Sequence, residues 1–128
     1  MLNQRAGELL EEVGLSPFAD DLTANLPYGR KRALELATTL ALDPQVMLLD
    51  EPLAGMGSED VGRTAALIRR VAEGRTVLMV EHNLGVVAEL CDRITVLARG
   101  EVLVEGDYAT VSKDPRVIES YIGGAAHG

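Results

Sequence analysis

The sequence predicts an α/β fold in which parallel strands are covered by flanking helices. Three short, continuous apolar runs, at 46–49, 76–80 and 94–97, indicate strands that are buried on both faces. Helical patterns that begin near Ser58 and Asn83 lie between these runs. Because successive parallel strands are joined by right-handed crossovers, we expect the three strands and the two helices to form one layered unit.

Two amphipathic helices are expected before the first strand. Apolar residues at helical spacing predict the first over 3–13, and Gly14 is expected to end it. A second apolar stripe predicts a helix over 29–42. Pro44 ends that helix, because the residue before a proline is displaced from the α region. The segment 16–27 between the two helices is expected to be irregular.

The later elements are predicted from caps, turns and periodicity. Ser58 is expected to cap the helix after the first strand, and Asn83 is expected to cap a short helix after the second. A turn at Gly100 is expected to pair residues 102–105 with the third strand as a hairpin. A final helix is expected over 114–121, and the tail after Gly123 is expected to fray.

Charge and composition exclude several classes of protein. The 128 residues hold 12 Lys and Arg against 20 Asp and Glu, a formal net charge of 12 − 20 = −8. That acidity disfavours a nucleic-acid-binding protein, because phosphate binding needs a basic surface. One cysteine, Cys91, cannot form an internal disulfide, and no apolar run reaches the roughly 20 residues of a membrane span. With no signal peptide visible, these features predict a soluble, acidic domain of the cytoplasm.

Acidic side chains follow two of the predicted strands. Asp50 and Glu51 come directly after the first apolar run, and Glu81 and His82 come after the second. The carboxyl ends of parallel strands share one edge of a sheet, where ligands gather. A carboxylate after four large apolar residues is costly to bury unpaired, and Mg²⁺ held together with substrate phosphates would offset that cost.

The second carboxylate of this pair indicates hydrolysis. Glu51 could orient and deprotonate an attacking water, and His82 could hydrogen-bond to a phosphate or to that water. The alternative interpretation is an ordinary turn after a strand, in which the acids are solvated and His82 is a polar turn residue. Both interpretations stay open on the residues alone.

A second candidate site lies at the start of the second predicted helix. The segment 26–29, Leu-Pro-Tyr-Gly, precedes the basic turn 30–32. Free N–H groups at a helix N-terminus favour an anion such as a phosphate. The alternative is an ordinary helix start whose Lys and Arg side chains lie on a solvated face.

The order and spacing of these motifs resemble the ATP-binding subunits of ABC transporters. The segment 26–41 is similar to the family's signature segment and the helix behind it, and 46–51 is similar to the Walker B strand with its Asp-Glu pair. His82 matches the switch histidine, and 54–57 lies where the family has its D-loop.

The C-terminal segments 92–106 and 114–123 resemble the subgroup that powers the import of branched-chain amino acids. The resemblance covers nearly the whole chain. It implies the C-terminal half of a RecA-like P-loop NTPase domain. In that division, 1–44 is the signature-helix part of the helical subdomain, and 45–128 is part of the RecA-like core.

The resemblance also implies a role for each motif. Asp50 would hold Mg²⁺ through water, Glu51 would polarise the attacking water, and His82 would contact the γ-phosphate of ATP. The signature segment would reach across a dimer to the nucleotide on a second ATPase subunit. The nucleotide-binding residues implied in this way are Leu26, Pro27, Tyr28, Gly29, Arg30 and Gly57.

Two of these residues depart from the general family pattern. Pro27 stands where the family has a serine, so the serine hydroxyl's contact with the γ-phosphate is lost. Leu-Pro-Tyr-Gly nevertheless resembles the signature of the branched-chain subgroup. Gly57 stands where many members have the D-loop aspartate, so the resemblance does not extend to an aspartate link between the two nucleotide sites.

The sequence contains no phosphate-binding loop of the form Gly-x-x-x-x-Gly-Lys-Ser/Thr. That loop supplies an N–H cradle and a lysine for the phosphates, so we expect a truncated piece of a longer protein or a partial gene product. The family's P-loop strand would lie between the strands at 76–80 and 94–97, which would leave two unpaired edges. We expect the chain to pair these two strands directly, or to borrow a strand from another copy.

The resemblance implies that the parent protein hydrolyses ATP as a dimer, bound to transmembrane permease subunits at the inner face of the plasma membrane, with no nucleic-acid partner. Three alternatives stay open. The first is a non-catalytic module that docks on an intact ATPase subunit. The second is a soluble ABC-type ATPase of DNA repair or translation. The third is a two-carboxylate metal hydrolase, for which only Glu81 and His82 offer further ligands.

Overall fold

The computed structural model describes residues 2–123 of the chain. The tail after Gly123, for which fraying is expected, lies outside the described residues. The chain divides after Glu81 into two compact units, each of which is described by itself. The division into 1–44 and 45–128 that the family resemblance implies stays a prediction.

The first unit combines three α-helices with a two-stranded parallel sheet. Gly14 ends the first helix with a φ of +74°, as the sequence predicts. The irregular segment between the first two helices contains short 3₁₀ turns. The elements are α1 (Leu2–Glu12), 3₁₀ turns at Ser16–Phe18 and Thr23–Asn25, α2 (Tyr28–Leu40), β1 (Val46–Asp50), α3 (Ser58–Val71) and β2 (Thr76–Val80).

Strands β1 and β2 pair in parallel, which confirms the predicted arrangement for these two strands. Val46 lies opposite Thr76, and Asp50 lies opposite Val80. One face of the pair joins the hydrophobic core together with α1, α2 and α3. The buried residues of this core are Leu9, Val13, Leu15, Leu36, Ala37, Leu40, Met47, Leu67 and Val71.

The other face of the β1–β2 pair is bare. Its apolar side chains are between 58% and 72% exposed, whereas Met47 on the core face is 1% exposed. The expectation that these strands are buried on both faces is therefore wrong. The physical reason is that the helices of this unit pack on one side of a sheet that is two strands wide. The exposed residues, called the bare face below, are Val46, Leu48, Leu78 and Val80.

A single arginine ties the beginnings of the two strands together. The Arg75 guanidinium donates to the carbonyl of Pro44 at 3.1 Å and to the carbonyl of Val71 at 2.9 Å. The Thr76 N–H donates to the carbonyl of Gln45 at 2.9 Å and begins the parallel ladder. These contacts bring the residue before β2, the end of α3 and the approach to β1 together, and so fix the register of the pair.

The second unit is a hairpin covered by short helices. Its strands β3 and β4 are antiparallel, as predicted, with an irregularity between Val96 and Leu97. Its core consists of Val96, Val111 and Val117. The elements are α4 (Leu84–Leu90), β3 (Ile94–Ala98), β4 (Glu101–Gly106), α5 (Tyr108–Val111), α6 (Pro115–Val117) and a π-helical turn (Ile118–Gly123).

Polar contacts on the outer face of the hairpin fix its register. The Thr95 hydroxyl donates to the Glu105 carboxylate at 2.6 Å, and the Arg93 guanidinium donates to the same carboxylate. These hydrogen bonds from Thr95 and Arg93 lower the pKa of Glu105 below its ordinary value. The carboxylate is therefore stabilised in its charged form on the exposed side of the hairpin.

The expectation of direct pairing between the second and third strands is wrong. Within the described residues, β2 is hydrogen-bonded to β1, and β3 is hydrogen-bonded to β4, in two separate sheets. The third strand therefore does not extend the parallel sheet, and its ladder hydrogen bonds go to β4, the antiparallel strand that follows it in sequence. The borrowing of a strand from another copy stays a prediction.

Two of the predicted helix starts have different outcomes. Asn83 caps α4, and its side chain accepts from the N–H of Val86 at 3.2 Å, which confirms that prediction. The prediction that Ser58 caps α3 is wrong. Gly57 is the N-cap with an extended backbone, so Ser58 is the first helical residue and no side-chain cap is formed.

The final helix is shorter in its α-helical part than predicted. Asp114 caps α6 by accepting from the N–H of Arg116 at 2.9 Å, and Pro115 occupies the first position as expected. Hydrogen bonds from the side chain and the backbone of Arg116 lower the pKa of Asp114. The α-helical geometry ends at Val117 and the chain continues as a π-helical turn to Gly123, so the helix predicted over 114–121 is present but is α-helical only in its first turn.

The two faces of β1 predict opposite responses to the same substitution. Met47→Ala should lower the free energy of unfolding by about 2–5 kcal/mol, because it opens a cavity in the core. Leu48→Ala, one residue later on the bare face, should change it by no more than about 0.5 kcal/mol. Denaturant unfolding of the two variants makes the comparison. Equal losses would contradict the one-sided packing of the sheet.

Candidate functional site

The acidic pair follows the carboxyl end of β1. Asp50 is the last residue of the strand and lies opposite Val80, and both Asp50 and Glu51 are exposed. Glu81 follows β2, so these acids leave the parallel pair at one edge, as predicted. Asp50 is exposed rather than buried, because the strand before it is bare on one side, and this agrees with the alternative interpretation in which the acids are solvated. Its role as a holder of Mg²⁺ stays a prediction.

The backbone of Glu51 is strained. Its φ is +45°, in the left-handed region that residues other than glycine, asparagine and aspartate rarely adopt. The N–H of Glu51 donates to the carbonyl of Val80 at 2.7 Å, which adds one rung beyond the last residue of β1. Such strain costs roughly 1–3 kcal/mol and persists at functional sites where the surroundings over-determine the conformation.

A tight turn carries the chain from Glu51 to the start of α3. The N–H of Ala54 donates to the carbonyl of Glu51 at 3.1 Å, and the N–H of Met56 donates to the carbonyl of Leu53 at 3.3 Å. Leu53 is 5% exposed and anchors the turn from inside. Gly55 has a φ of +78°, which suits a glycine. We call residues 51–56 the β1 turn.

The start of α2 contacts this turn. The Tyr28 hydroxyl donates to the carbonyl of Ala54 at 3.1 Å. The Arg32 Nη2 donates to the carbonyl of Glu51 at 3.3 Å. The structure therefore joins the two candidate sites of the sequence, the signature segment and the acidic strand end, through hydrogen bonds from side chains to the main chain.

Gly29 marks a close approach between the starts of α2 and α3. A Cβ atom at Gly29 would lie 3.0 Å from the Cγ atom of Asp60. The Asp60 carboxylate accepts from Arg63 at 3.0 Å. A negative charge beside a helix N-terminus is favourable, so Asp60 stabilises the first turn of α2 as well as that of α3.

The remaining residues of the signature segment differ in accessibility. Leu26 is 8% exposed, so its side chain belongs to the interior. Pro27 is exposed and is the N-cap of α2, where it forms no side-chain cap. The Arg30 guanidinium lies 5.0 Å from the centre of the Phe18 ring. Gly57, predicted to be in the D-loop, is the N-cap of α3.

His82 is the first residue of the second unit and is exposed. It follows Glu81 directly in the chain and precedes the Asn83 cap of α4. Its predicted contact with a γ-phosphate stays a prediction.

The described residues show neither a clustered metal site nor a membrane-spanning helix. Residues 2–123 hold no group of three or more His, Cys, Asp or Glu side chains arranged to hold a metal ion. None of the helices in that range combines the length and the apolar character needed to cross a bilayer.

Comparison with known families gives matches at both ends of the chain. The family model described as ABC transporter matches residues 2–54, which include the signature segment and the acidic pair. The family model described as branched-chain amino acid ATP-binding cassette transporter matches residues 101–127. The two matched segments make up more than half of the chain.

The chain belongs to the ABC transporter ATP-binding family. A relative in Pseudomonas aeruginosa is the high-affinity branched-chain amino acid transport ATP-binding protein BraF, which is 35% identical over 122 residues. LivG of Escherichia coli K12, also described as a high-affinity branched-chain amino acid transport ATP-binding protein, is 34% identical over 123 residues. Each match covers 94% of this chain and 48% of the relative, so the chain spans about half the length of these curated relatives.

Solved structures agree with this assignment. An ATP-binding cassette of an ABC transporter in its ADP conformation matches with a TM-score of 0.84 and 30% identity, covering 94% of this chain and 49% of that one. A nucleotide-free ATP-binding cassette matches with a TM-score of 0.84 and 29% identity. The predicted α/β class, as part of a P-loop NTPase domain of the ABC type, is therefore confirmed.

Sequence reasoning missed the part that Arg32 plays in the site. The sequence allows two interpretations of the basic turn 30–32, an anion site or a solvated face. In the structure, Arg32 does neither and instead packs against the β1 turn, where it donates to the carbonyl of Glu51. Glu35, three residues later, accepts from the same guanidinium at 2.9 Å. The spacing of Tyr28, Arg32 and Glu35 along one helix face is the signal that could have indicated a fixed side chain.

The strained φ of Glu51 predicts that glycine is more stable than alanine at this position. Glu51→Gly should have a free energy of unfolding about 1 kcal/mol above that of Glu51→Ala, because both variants lose the carboxylate but only glycine relieves the left-handed backbone. Denaturant unfolding measures the difference.

The control is Ala66→Gly, at an exposed position inside α3. That change should lower the free energy of unfolding by about 1 kcal/mol, the ordinary effect of glycine in a helix. A Glu51→Gly variant that is less stable than Glu51→Ala would contradict the strain at this position.

Proposed function

We propose that the chain carries the hydrolytic carboxylate of an ABC transporter ATPase, and that the whole protein couples ATP hydrolysis to the import of branched-chain amino acids. The observation that supports this most is the acidic pair at the end of β1, because hydrogen bonds from α2 hold the carbonyl of Glu51 and, three residues later in the same turn, the carbonyl of Ala54. The names of the relatives BraF and LivG, and the C-terminal family model, favour branched-chain amino acids as the solute.

The proposed chemistry is attack of water on the γ-phosphorus of ATP. The bond from that phosphorus to the β–γ bridging oxygen breaks, and ADP and phosphate are released. Glu51 polarises the water and takes up its proton as the new bond forms. His82 contacts the γ-phosphate, where a hydrogen bond stabilises the charge that develops on its oxygens.

Asp50 is the proposed holder of Mg²⁺. Its exposed carboxylate at the end of β1 is a hard oxygen donor, which is the type that Mg²⁺ prefers. Mg²⁺ is commonly held by one or two carboxylates, by waters and by substrate phosphates, so Asp50 fits this ion without a cage of protein ligands. When bound, the ion neutralises charge on the phosphates.

The residues present fit part of an ATP site. The sequence lacks the Gly-x-x-x-x-Gly-Lys-Ser/Thr loop that cradles phosphates, so this chain would contribute the carboxylates, His82 and the signature segment without that loop. We therefore expect negligible ATP turnover by the chain alone.

The proposed partners follow from the same assignment. Pro27, Tyr28, Gly29 and Arg30 would face the nucleotide of a second ATPase subunit in a dimer, with Leu26 supporting them from the interior. Gly57 would lie near that boundary at the start of α3. The assembled protein would bind permease subunits at the inner face of the plasma membrane.

A second candidate function is a non-catalytic module that docks on an intact ATPase subunit. The bare face favours it, because four apolar side chains on neighbouring strands are more than half exposed. Such a module would change the rate of another subunit without hydrolysing ATP itself.

A hybrid protein tests the proposed function. In the hybrid, this chain replaces the 122 aligned residues of BraF, and we expect the remaining half of that ATP-binding protein to supply the phosphate-binding loop. We expect the hybrid to hydrolyse ATP, and we expect Glu51→Gln to lower kcat by about 100-fold or more with ATP binding retained. The matched control is Glu73→Gln, at an exposed position after α3, which should leave kcat unchanged.

Two results would contradict the hydrolytic role. One is full kcat in the Glu51→Gln hybrid. The other is an inactive hybrid together with a change in the ATPase rate of intact BraF when this chain is added in trans, which is the result expected of a docking module.

A further inference from the structure

Arg32 lies where α2 meets the β1 turn, and three groups hold its side chain. Its Nη2 donates to the carbonyl of Glu51 at 3.3 Å, and its Nη1 donates to the carboxylate of Glu35 at 2.9 Å. Its guanidinium carbon lies 5.8 Å from the centre of the Tyr28 ring. The side chain is 27% exposed. A long, flexible side chain is thus fixed with its charged end on the main chain of Glu51.

The hydrogen bond from Arg32 is made to the carbonyl of Glu51, which lies on one side of the strained φ torsion. On the other side, the N–H of Glu51 is bonded to the carbonyl of Val80 at 2.7 Å. Rotation about φ turns the N–H side of the residue relative to its carbonyl side. A return from +45° to the ordinary negative range would therefore break the bond to Val80 or the bond to Arg32.

We propose that Arg32 is a positioning residue that holds Glu51 in its left-handed conformation and thereby sets the direction of the Glu51 carboxylate. The inference rests on the proposed function for its meaning in hydrolysis. The contact with the backbone does not depend on that function, because it joins two groups of this chain.

Arginine suits this position for a geometric reason. The planar guanidinium presents separate N–H donors in a fixed fork, and its face stacks on an aromatic ring. Arg32 uses one donor for Glu35, another for Glu51 and its face for Tyr28. A lysine ammonium is a point charge without such a face, so it can replace one of these contacts but not all three.

Tyr28 makes a similar contact with a later part of the β1 turn. Its hydroxyl donates to the carbonyl of Ala54, three residues after the carbonyl that Arg32 holds. Two residues one helical turn apart on α2 therefore hold two carbonyls of the β1 turn. A movement at the start of α2 would be passed to Glu51 through these two contacts.

The test is nuclear magnetic resonance of the 128-residue chain and of three variants. The distance between the amide and α protons of one residue is shortest at positive φ, so their cross-peak reports the conformation of Glu51. In Arg32→Met we expect this cross-peak to weaken and the Glu51 amide to exchange about tenfold faster, because one anchor is lost. Arg32→Lys should restore both signals in part.

The matched control is Arg63→Met. Arg63 pairs with Glu59 and Asp60 on α3 and is 45% exposed, so its loss removes a comparable charge without touching the β1 turn. An unchanged cross-peak and exchange rate in Arg32→Met would overturn the proposal. The same changes in Arg63→Met would also overturn it, since they would report general loosening of the fold.

The hybrid with BraF adds a kinetic measurement. Arg32→Met should lower kcat by about tenfold while the KM for ATP stays within about twofold, because misdirection of the carboxylate affects the attack of water and not the binding of nucleotide. A rise in the KM for ATP as large as the fall in kcat would overturn the positioning role in catalysis. An unmutated hybrid that fails to turn over contradicts the proposed function instead, and the magnetic resonance result then decides the backbone role by itself.

Discussion

The parallel pairing of β1 with β2 is the constraint on which the candidate site depends. It begins at Thr76, beside the contacts of Arg75, and its last rung is the hydrogen bond from the Glu51 N–H to the carbonyl of Val80. Because both strands end at the same edge, Asp50, Glu51 and Glu81 leave the sheet together. A shift of one residue in this register would exchange the core and bare faces, and would remove Met47 from the core.

The site also depends on strain that the rest of the first unit offsets. A left-handed glutamate is less stable than glycine at the same position, so the carboxylate is kept there at a cost to stability. The hydrogen bonds from Arg32 and Tyr28 connect that residue and its turn to α2, which is itself packed on the core through Leu36, Ala37 and Leu40. The geometry of an exposed acid is in this way tied to buried side chains.

The sequence allows the elements to be predicted where a local cause decides the outcome. Asn83, Gly14 and Pro115 act within one turn of the chain, and each lies where it is expected. The acidic pair and its shared edge follow from short apolar runs and parallel pairing. The exposure of Leu48 and Leu78 could not be predicted, because burial depends on how many layers cover a sheet, and an apolar run looks the same with one layer or two. The contact of Arg32 with Glu51 could not be predicted either, because the two residues lie 19 positions apart in the sequence.

The dependence of the candidate site on the pairing of β1 with β2 is tested most directly by the scalar coupling that passes through a hydrogen bond. This coupling is measured between the amide nitrogen of Glu51 and the carbonyl carbon of Val80. The bond from Thr76 to Gln45, at 2.9 Å at the other end of the same ladder, is the internal control. We expect both couplings to be detected, since the Glu51 bond is the shorter at 2.7 Å. A coupling at Thr76 with none at Glu51 would show that the ladder ends before the acidic pair, and would contradict the positioning of Glu51 by the sheet.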